Sequence, residues 1–163
     1  DAGGLDILTD KKRKADGSNP KGYYEHDAVK KLEKSNEILY EAKGKAVKVI
    51  SFLLNYLPSD LHYKVIFMKR NVQEVIKSQQ KMLKKDEDDY PEELARAFEN
   101  ELTRVEQWAE EAANVEMIFV NHKRMIQNTE EMVPRVIEFL GLPLDQEKMG
   151  AVVDPSLYRS KLK

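Results

Sequence analysis

The stretch that decides the fold is "YKVIFMKRNVQEVIKSQQKML", residues 63–83, which changes from strand-like to helical halfway along. Its first half contains four consecutive apolar residues, from Val65 to Met68. Such uninterrupted runs are typical of parallel strands that are buried on both faces. From Asn71, a residue that favours helix N-caps, the apolar residues follow helical spacing. The stretch therefore predicts a buried strand over residues 63–69 that leads through Arg70 into a capped helix over residues 71–83.

The segments around this stretch alternate between strands and helices. Further strands are predicted at 45–51 and 115–121, and helices at 26–42, at about 91–113 and from residue 129 to a Gly141 cap. This order indicates an α/β domain with a mainly parallel sheet.

Three details of these segments are also predicted. Pro134 predicts that the last long helix starts late or bends. Residues 9–25 form a long loop, whereas residues 1–10 show no strand-like run or helix start. The acidic run "DEDDYPEE", residues 86–93, lies beside a helix N-terminus and is interpreted as a solvated surface rather than a metal site.

The composition is that of a globular domain with polar loops and helix faces. The chain has 163 residues, 41% of them hydrophobic and 34% charged, and a net charge of −2, which argues against a general nucleic-acid binder. The absence of cysteine excludes disulfides, a thiolate nucleophile and cysteine-ligated zinc. No apolar run has the length of a membrane span and no signal peptide opens the chain, so we expect a cytoplasmic protein.

The start of the chain is abrupt. "DAGGLDILTD" has no methionine and reads like the end of an element. We therefore expect a single domain over residues 1–163 that is incomplete at its N-terminus.

Arg70 is a candidate anion ligand because it follows a predicted parallel strand. In open α/β sheets, ligands bind beyond the carboxyl ends of the strands, near helix N-termini, and the guanidinium fork suits two phosphate oxygens. Ser78 lies seven residues after Asn71 on the same helix face, about 10 Å along the axis. The alternative is that Arg70 pairs with Glu74 and Ser78 faces water.

Lys48 is a second candidate, because alternation places it in the middle of the predicted strand 45–51. An ammonium group on a covered sheet face needs a carboxylate or a bound anion. The alternatives are an edge strand, or a lysine whose ammonium group reaches solvent.

Several common site motifs are absent. His26, His62 and His122 are far apart and show no metal-ligand spacing, so each is interpreted as a surface or capping residue. The sequence contains no "GxSxG", "GxGxxG" or "GxxxxGK[ST]" motif.

In their order, these segments resemble those of sulfotransferases that use 3′-phosphoadenosine 5′-phosphosulfate (PAPS). The segment "VIFMKRNVQEVIKSQ" resembles the part of those enzymes that binds the 3′-phosphate, and "KAVKVISFLLNYLP" resembles the preceding strand and turn. The similarity extends over three further segments: "NPKGYYE", typical of bacterial members, "NHKRMIQNTEEMVPRVIEFLGLPLD" and "VVDPSLYR".

The resemblance implies a three-layer α/β/α fold related to P-loop kinases, with PAPS as co-substrate and no metal. Arg70 and Ser78 would bind the 3′-phosphate, and Lys48 would stabilise the sulfuryl group or the leaving phosphate. The acceptor would be a hydroxyl or amine of a small molecule or carbohydrate. Nucleic acid would not be a partner.

Two departures from the family pattern stand out. The family's 5′-phosphosulfate loop is absent from residues 1–163 and is expected upstream of Asp1, so this fragment should be inactive even if the full-length protein is an enzyme. The histidine that acts as base in many members has Ile50 in its place. Glu25 and His26 are the candidate replacements.

Two other functions stay open. The chain could be a non-catalytic interaction or regulatory domain that retains the scaffold, with the basic loop and the helix near 91–113 as its partner surface. It could also be a relative of the P-loop kinases, although no paired acidic residue follows a strand to hold Mg²⁺.

Overall fold

The computed structural model describes residues 1–17, 19–83, 85 and 90–159. Of the acidic run 86–93 interpreted above as solvated, residues 86–89 lie outside the described residues. Strands and α-helices follow in the order β1 (Ile7–Leu8), β2 (Ala46–Val47), β3 (Tyr63–Lys69), α1 (Val72–Met82), α2 (Glu92–Glu111), β4 (Val115–Asn121), α3 (His122–Gln127), α4 (Thr129–Leu140) and α5 (Gln146–Ala151). Within the described residues, short 3₁₀ segments lie at Val29–Lys31, Glu37–Leu39, Ser51–Tyr56 and Pro155–Leu157.

The centre of the fold is the parallel pair of β3 and β4, in register from Tyr63 opposite Val115 to Lys69 opposite Asn121. Neighbouring residues of a strand point to opposite faces. Lys64 donates to the Phe139 carbonyl oxygen of α4 at 2.9 Å, whereas Lys69 on the other face contacts Glu106 of α2 at 2.8 Å. Helices therefore lie against both faces, and the predicted α/β fold with parallel strand pairing and α/β/α layers is confirmed.

The prediction that β3 is buried on both faces is wrong. Ile66 is 36% exposed and Met68 46% exposed, although both are apolar. On the same face of the sheet Val120 of β4 is fully buried, because it packs against Met132 and Val136 of α4. Helix α4 thus covers the β4 half of this face and leaves the β3 half open.

A second parallel pair joins β1 to β2, with Ile7 opposite Ala46 and Leu8 opposite Val47. The expectation that residues 1–10 contain no strand is therefore wrong. The predicted strand 45–51 is also too long. Only Ala46 and Val47 pair, and a 3₁₀ segment starts at Ser51. Two apolar residues in each segment are enough to form a strand here, because the neighbouring strand supplies the hydrogen bonds.

The helix predicted at 26–42 is replaced by two 3₁₀ segments, although its apolar residues Val29, Leu32 and Leu39 do enter a common core with Leu53 and Leu61. Side chains bond to the backbone where the helix breaks. The Ser35 hydroxyl accepts from Glu37 N at 3.5 Å, and the Asn36 amide donates to the Tyr56 carbonyl oxygen at 3.1 Å. Such local bonds compete with helical ones.

The other long helices form as the sequence predicts. Asn71 caps α1, since its side-chain oxygen accepts from Gln73 N at 2.9 Å and from Glu74 N at 3.4 Å. Helix α4 ends at Gly141, which adopts a left-handed φ of 67°. Pro134 does not delay this helix, which already starts at Thr129. The sequence analysis missed the short α3, which Asn121 caps by accepting from Arg124 N.

Candidate active site

Arg70 lies at the carboxyl end of β3, between the last residue of the strand and the Asn71 cap of α1. Its side chain is 22% exposed and lies against a buried carboxylate, with Arg70 Nε 3.3 Å from Glu74 Oε2. This is the i,i+4 pair that the alternative interpretation predicts. The pair engages only Nε, and in the described part of the chain the two terminal amino groups of Arg70 have no hydrogen-bond partner. The fork of the guanidinium group is thus available to an anion.

Glu74 is held from two sides. Only 5% of the residue is exposed. Tyr158, from the segment after α5 (residues 152–159, here called the C-terminal tail), donates its hydroxyl to Glu74 Oε1 by a very short hydrogen bond. Burial and this bond raise the pKa of Tyr158, so the phenol stays protonated and acts as the donor. The Arg70 guanidinium also lies 5.8 Å from the centre of the Tyr158 ring.

Ser78 lies in α1, four residues after Glu74 and on the same face of the helix. One helical turn, about 6 Å along the axis, separates the two residues. Because Glu74 contacts Arg70, the helix face beside Arg70 continues to Ser78. The predicted ligand Ser78 therefore lies on the face of α1 that Arg70 contacts through Glu74.

His122 begins α3 directly after β4 and lies beside Arg70, Glu74 and Tyr158; these four residues are called the Arg70 cluster. Its ring meets the Tyr158 ring edge to face, with centroids 5.4 Å apart. Nδ1 of His122 is buried and makes no hydrogen bond among the described residues. Burial, helped by the Arg70 guanidinium and opposed by Glu74, lowers the pKa of His122, which keeps the ring neutral near pH 7.

The other two candidates, Lys48 and Glu25, lie together in a second cluster. Lys48 Nζ is 3.3 Å from Glu25 Oε1 and donates to the Tyr23 carbonyl oxygen at 3.1 Å. Lys48 lies just beyond β2, not inside a strand, and its side chain is 50% exposed. The sequence left open whether the Lys48 ammonium group meets a carboxylate, a bound anion or solvent. In this structure its partner is a carboxylate.

Glu25 is the centre of a group of cations. Lys30 Nζ lies 3.0 Å and Arg13 Nη1 lies 3.7 Å from Glu25 Oε2. Burial raises the pKa of Glu25, but hydrogen bonds from Lys30 and Lys48 outweigh this effect and leave the pKa below its ordinary value. The carboxylate is therefore ionised at neutral pH, as a proton acceptor must be.

A cleft of about 560 Å³ opens beside Glu25 and is lined mainly by residues around β1 and by the loop 9–25, here called the Tyr-rich loop. Lys11 and Tyr24 line this cleft in left-handed backbone conformations, with φ of 55° and 51°. Such conformations in residues other than glycine cluster at functional sites.

His26, the other candidate base, uses Nδ1 to accept from Ala28 N at 3.2 Å, which leaves Nε2 as the ring nitrogen without this bond.

The C-terminal tail connects the Tyr-rich loop with the Arg70 cluster. Arg159 donates to the Gly17 carbonyl oxygen at 2.8 Å, and Lys21 donates to the Val152 carbonyl oxygen at 2.7 Å. Between these contacts, Tyr158 reaches Glu74. The same tail therefore contacts the loop that carries Glu25 and the cluster that contains Arg70.

A family model for the sulfotransferase domain matches residues 7–161, almost the whole chain. The chain belongs to the sulfotransferase family. Members of this family transfer sulfuryl groups to small-molecule acceptors and generally use PAPS as the donor. No curated protein and no solved structure matches the chain closely enough to be counted.

Some features of this sulfotransferase domain were not predicted from its sequence. Glu74 entered the sequence analysis only as a competing partner for Arg70, and Tyr158 only as part of "VVDPSLYR". His122 was interpreted as a surface or capping residue, whereas its ring contacts the Arg70 cluster. Leu157, the apolar residue before Tyr158, and the Asn–His step after β4 are weak local signals for these contacts.

Two absences hold for the described part of this sulfotransferase domain. No group of three or more His, Asp or Glu side chains there is arranged to hold a metal ion. Likewise, none of its helices combines the length and apolar character that crossing a membrane requires.

Proposed function

We propose that this chain is the core of a bacterial-type, PAPS-dependent sulfotransferase in which Arg70 and Ser78 bind the 3′-phosphate of the donor. The acceptor is a hydroxyl or amine of a small molecule or carbohydrate. The observation that carries the proposal is the position of Arg70 at the end of β3, with the fork of its guanidinium group open. The family membership supports the same reaction class.

The physical basis of 3′-phosphate binding is charge and geometry. Two terminal N–H₂ groups of arginine can donate in parallel to two phosphate oxygens. The Ser78 hydroxyl can add a third bond from about two turns into α1, and the positive end of the α1 dipole favours negative charge nearby. Arg70 directly precedes the Asn71 cap and Ser78 lies within α1, so one strand-to-helix segment carries both side chains.

Lys48 and Glu25 are proposed to act on the reacting groups. The acceptor oxygen or nitrogen forms a bond to sulfur while the bond from sulfur to the bridging phosphate oxygen breaks. The electron pair of that bond stays on the departing 3′-phosphoadenosine 5′-phosphate. Lys48 stabilises the negative charge that develops there, and the ionised Glu25 takes the proton of the acceptor.

The pairing between Glu25 and Lys48 makes this assignment demanding. A carboxylate surrounded by Lys30, Lys48 and Arg13 is a weaker base than a free one. The proposal therefore requires that Lys48 turns from Glu25 to the donor when PAPS binds. The exposed half of the Lys48 side chain leaves room for this movement.

Residues 1–163 by themselves are expected to be nearly inactive, because they contain no phosphosulfate loop. Binding of the 3′-phosphate can still be tested in this chain, since Arg70 and Ser78 are both present. Isothermal titration with 3′-phosphoadenosine 5′-phosphate is the direct measurement. We expect Arg70→Ala to weaken binding about 100-fold and Ser78→Ala about tenfold, the loss expected for hydrogen bonds to a charged group.

Arg96→Ala is the matched control, because Arg96 also pairs with a glutamate four residues away, at 3.2 Å from Glu92, but on an exposed surface. This variant should bind like the parent chain. If the parent chain binds the nucleotide and Arg70→Ala binds it equally well, the proposed site is wrong. If no binding occurs even in the longest natural form of the protein, a non-catalytic interaction domain becomes the better interpretation.

A further inference from the structure

The Arg70 cluster contains a buried carboxylate, that of Glu74, beside the site proposed for an anion. Two negative charges so close together repel each other, so the presence of Glu74 needs an explanation. Glu74 is only 5% exposed and contacts Arg70 through one oxygen. A buried charge is costly unless it is paired and hydrogen-bonded. Both conditions are met here, since Arg70 occupies Oε2 and Tyr158 occupies Oε1.

The pairing also determines which part of Arg70 faces outward. When Nε donates to Glu74, this contact holds one edge of the guanidinium group, and the fork between its two terminal amino groups is directed away from Nε at the end of the side chain. A carboxylate that was free to rotate could instead take the terminal groups in the bidentate manner that arginine favours. The Tyr158 hydroxyl opposes this rotation because it holds the other oxygen of Glu74.

We propose that Glu74 and Tyr158 are positioning residues that keep the guanidinium fork of Arg70 turned toward the 3′-phosphate of the donor. The inference rests on the proposed function of Arg70 and adds that the C-terminal tail, through Tyr158, completes the nucleotide site. Neither residue contacts the phosphate. Each acts through the orientation of Arg70.

The attachment of the tail supports this role. Tyr158 is only 6% exposed and is enclosed by contacts with Glu74, Arg70 and the His122 ring. The next residue, Arg159, is anchored to the Gly17 carbonyl oxygen at 2.8 Å. The phenol is thus held in place from both ends of the site, and its raised pKa keeps it a donor.

The test compares two nucleotides that differ only in the group that Arg70 binds. Calorimetric titrations with 3′-phosphoadenosine 5′-phosphate and with adenosine 5′-phosphate are carried out on the parent chain and on Tyr158→Phe. This substitution removes one hydroxyl and no charge. We expect about tenfold weaker binding of the 3′-phosphorylated nucleotide, similar to the loss of outer-shell partners at metal sites, and unchanged binding of the other.

Two further variants make the test specific. Tyr40→Phe is the matched control, because Tyr40 also donates to a carboxylate, Asp60 Oδ1 at 2.9 Å, but on the exposed surface. It should bind both nucleotides like the parent chain. Glu74→Asp keeps the charge but is one methylene too short to reach both Arg70 and Tyr158, so it should reproduce the selective loss even if Tyr158→Phe fails to fold.

The outcomes separate this inference from the proposed function. If Arg70→Ala loses the preference for the 3′-phosphate while Tyr158→Phe and Glu74→Asp keep it, Arg70 is a ligand and the positioning role is wrong. Equal weakening of both nucleotides also overturns it, because a general structural defect would have that effect. If the parent chain shows no preference for the 3′-phosphate, the proposed function itself fails.

In the Arg70→Ala background, Tyr158→Phe should have no further effect on the affinity ratio of the two nucleotides. A selective loss that persists there would mean that Tyr158 acts on the phosphate without Arg70, and the inference would be overturned.

Discussion

The half-covered face of the β3–β4 pair allows a sharp test of what stabilises the domain. Met68 and Val120 are register partners on the same face of the sheet. Val120 is fully buried against α4, whereas Met68 is 46% exposed. Truncating each side chain to alanine should therefore have very different effects, although the two positions are neighbours.

The magnitude for Val120→Ala follows from the buried carbons that are lost. The substitution removes two methyl-sized groups, which at about 0.8 kcal/mol each gives about 1.6 kcal/mol of transfer free energy. The cavity left between Met132 and Val136 raises the loss to about 2–3 kcal/mol. For a chain of this length, that lowers the thermal midpoint by about 4–12 °C.

Met68→Ala removes a larger side chain but should cost only about 1 kcal/mol or less, because nearly half of Met68 is already in water. Urea denaturation followed by circular dichroism measures both variants, and equal m-values would show that the unfolding transition is unchanged. If Met68→Ala destabilises as much as Val120→Ala, the open face described here is covered in solution and the reasoning is refuted.

Two further predictions concern a helix end and a histidine. Gly141→Ala should lower the free energy of unfolding by about 1 kcal/mol, because Gly141 has a left-handed φ of 67°. Gly150→Ala within α5 is the control and should be neutral or stabilising by about 0.5 kcal/mol. Equal denaturation midpoints for the two variants would contradict this prediction. Burial lowers the pKa of His122 from its ordinary value of 6.5, so the unfolded chain binds more protons just below that pH. The free energy of unfolding should therefore fall as the pH drops through about 6.5, and level off below the pKa of His122 in the folded chain. His122→Asn should remove this pH-dependent fall from denaturation measurements made between pH 5 and 8. If the variant shows the same pH dependence, His122 is not its source.

Local patterns were sufficient for the central elements of the fold. The bounds of β3 and β4 agree with the sequence prediction because each is a compact apolar run flanked by polar residues. Helix α1 was predicted with its Asn71 cap, and α4 with its Gly141 end, because capping depends on residues a few positions away. Local patterns failed at 26–42, where side chains of Ser35 and Asn36 bond to the backbone and break the helix.

The candidate site was predicted in part. The position of Arg70 and the spacing to Ser78 follow from a strand that runs into a capped helix, so the sequence located both. That Arg70 would pair with Glu74 was one of two alternatives, and only the structure chose it. The role of Lys48 was uncertain because the strand predicted around it ends at Val47.

By itself, the sequence determined the α/β class, the principal strands and helices, and the residues that stand at the end of β3. These depend on periodicity, caps and short-range sterics, which act over a few residues. Only the tertiary structure decided which distant groups meet: Lys48 with Glu25 across 23 residues, and Tyr158 with Glu74 across 84. Such contacts depend on the paths of the loop and the tail, which the packing of the whole domain sets, and no local pattern records them.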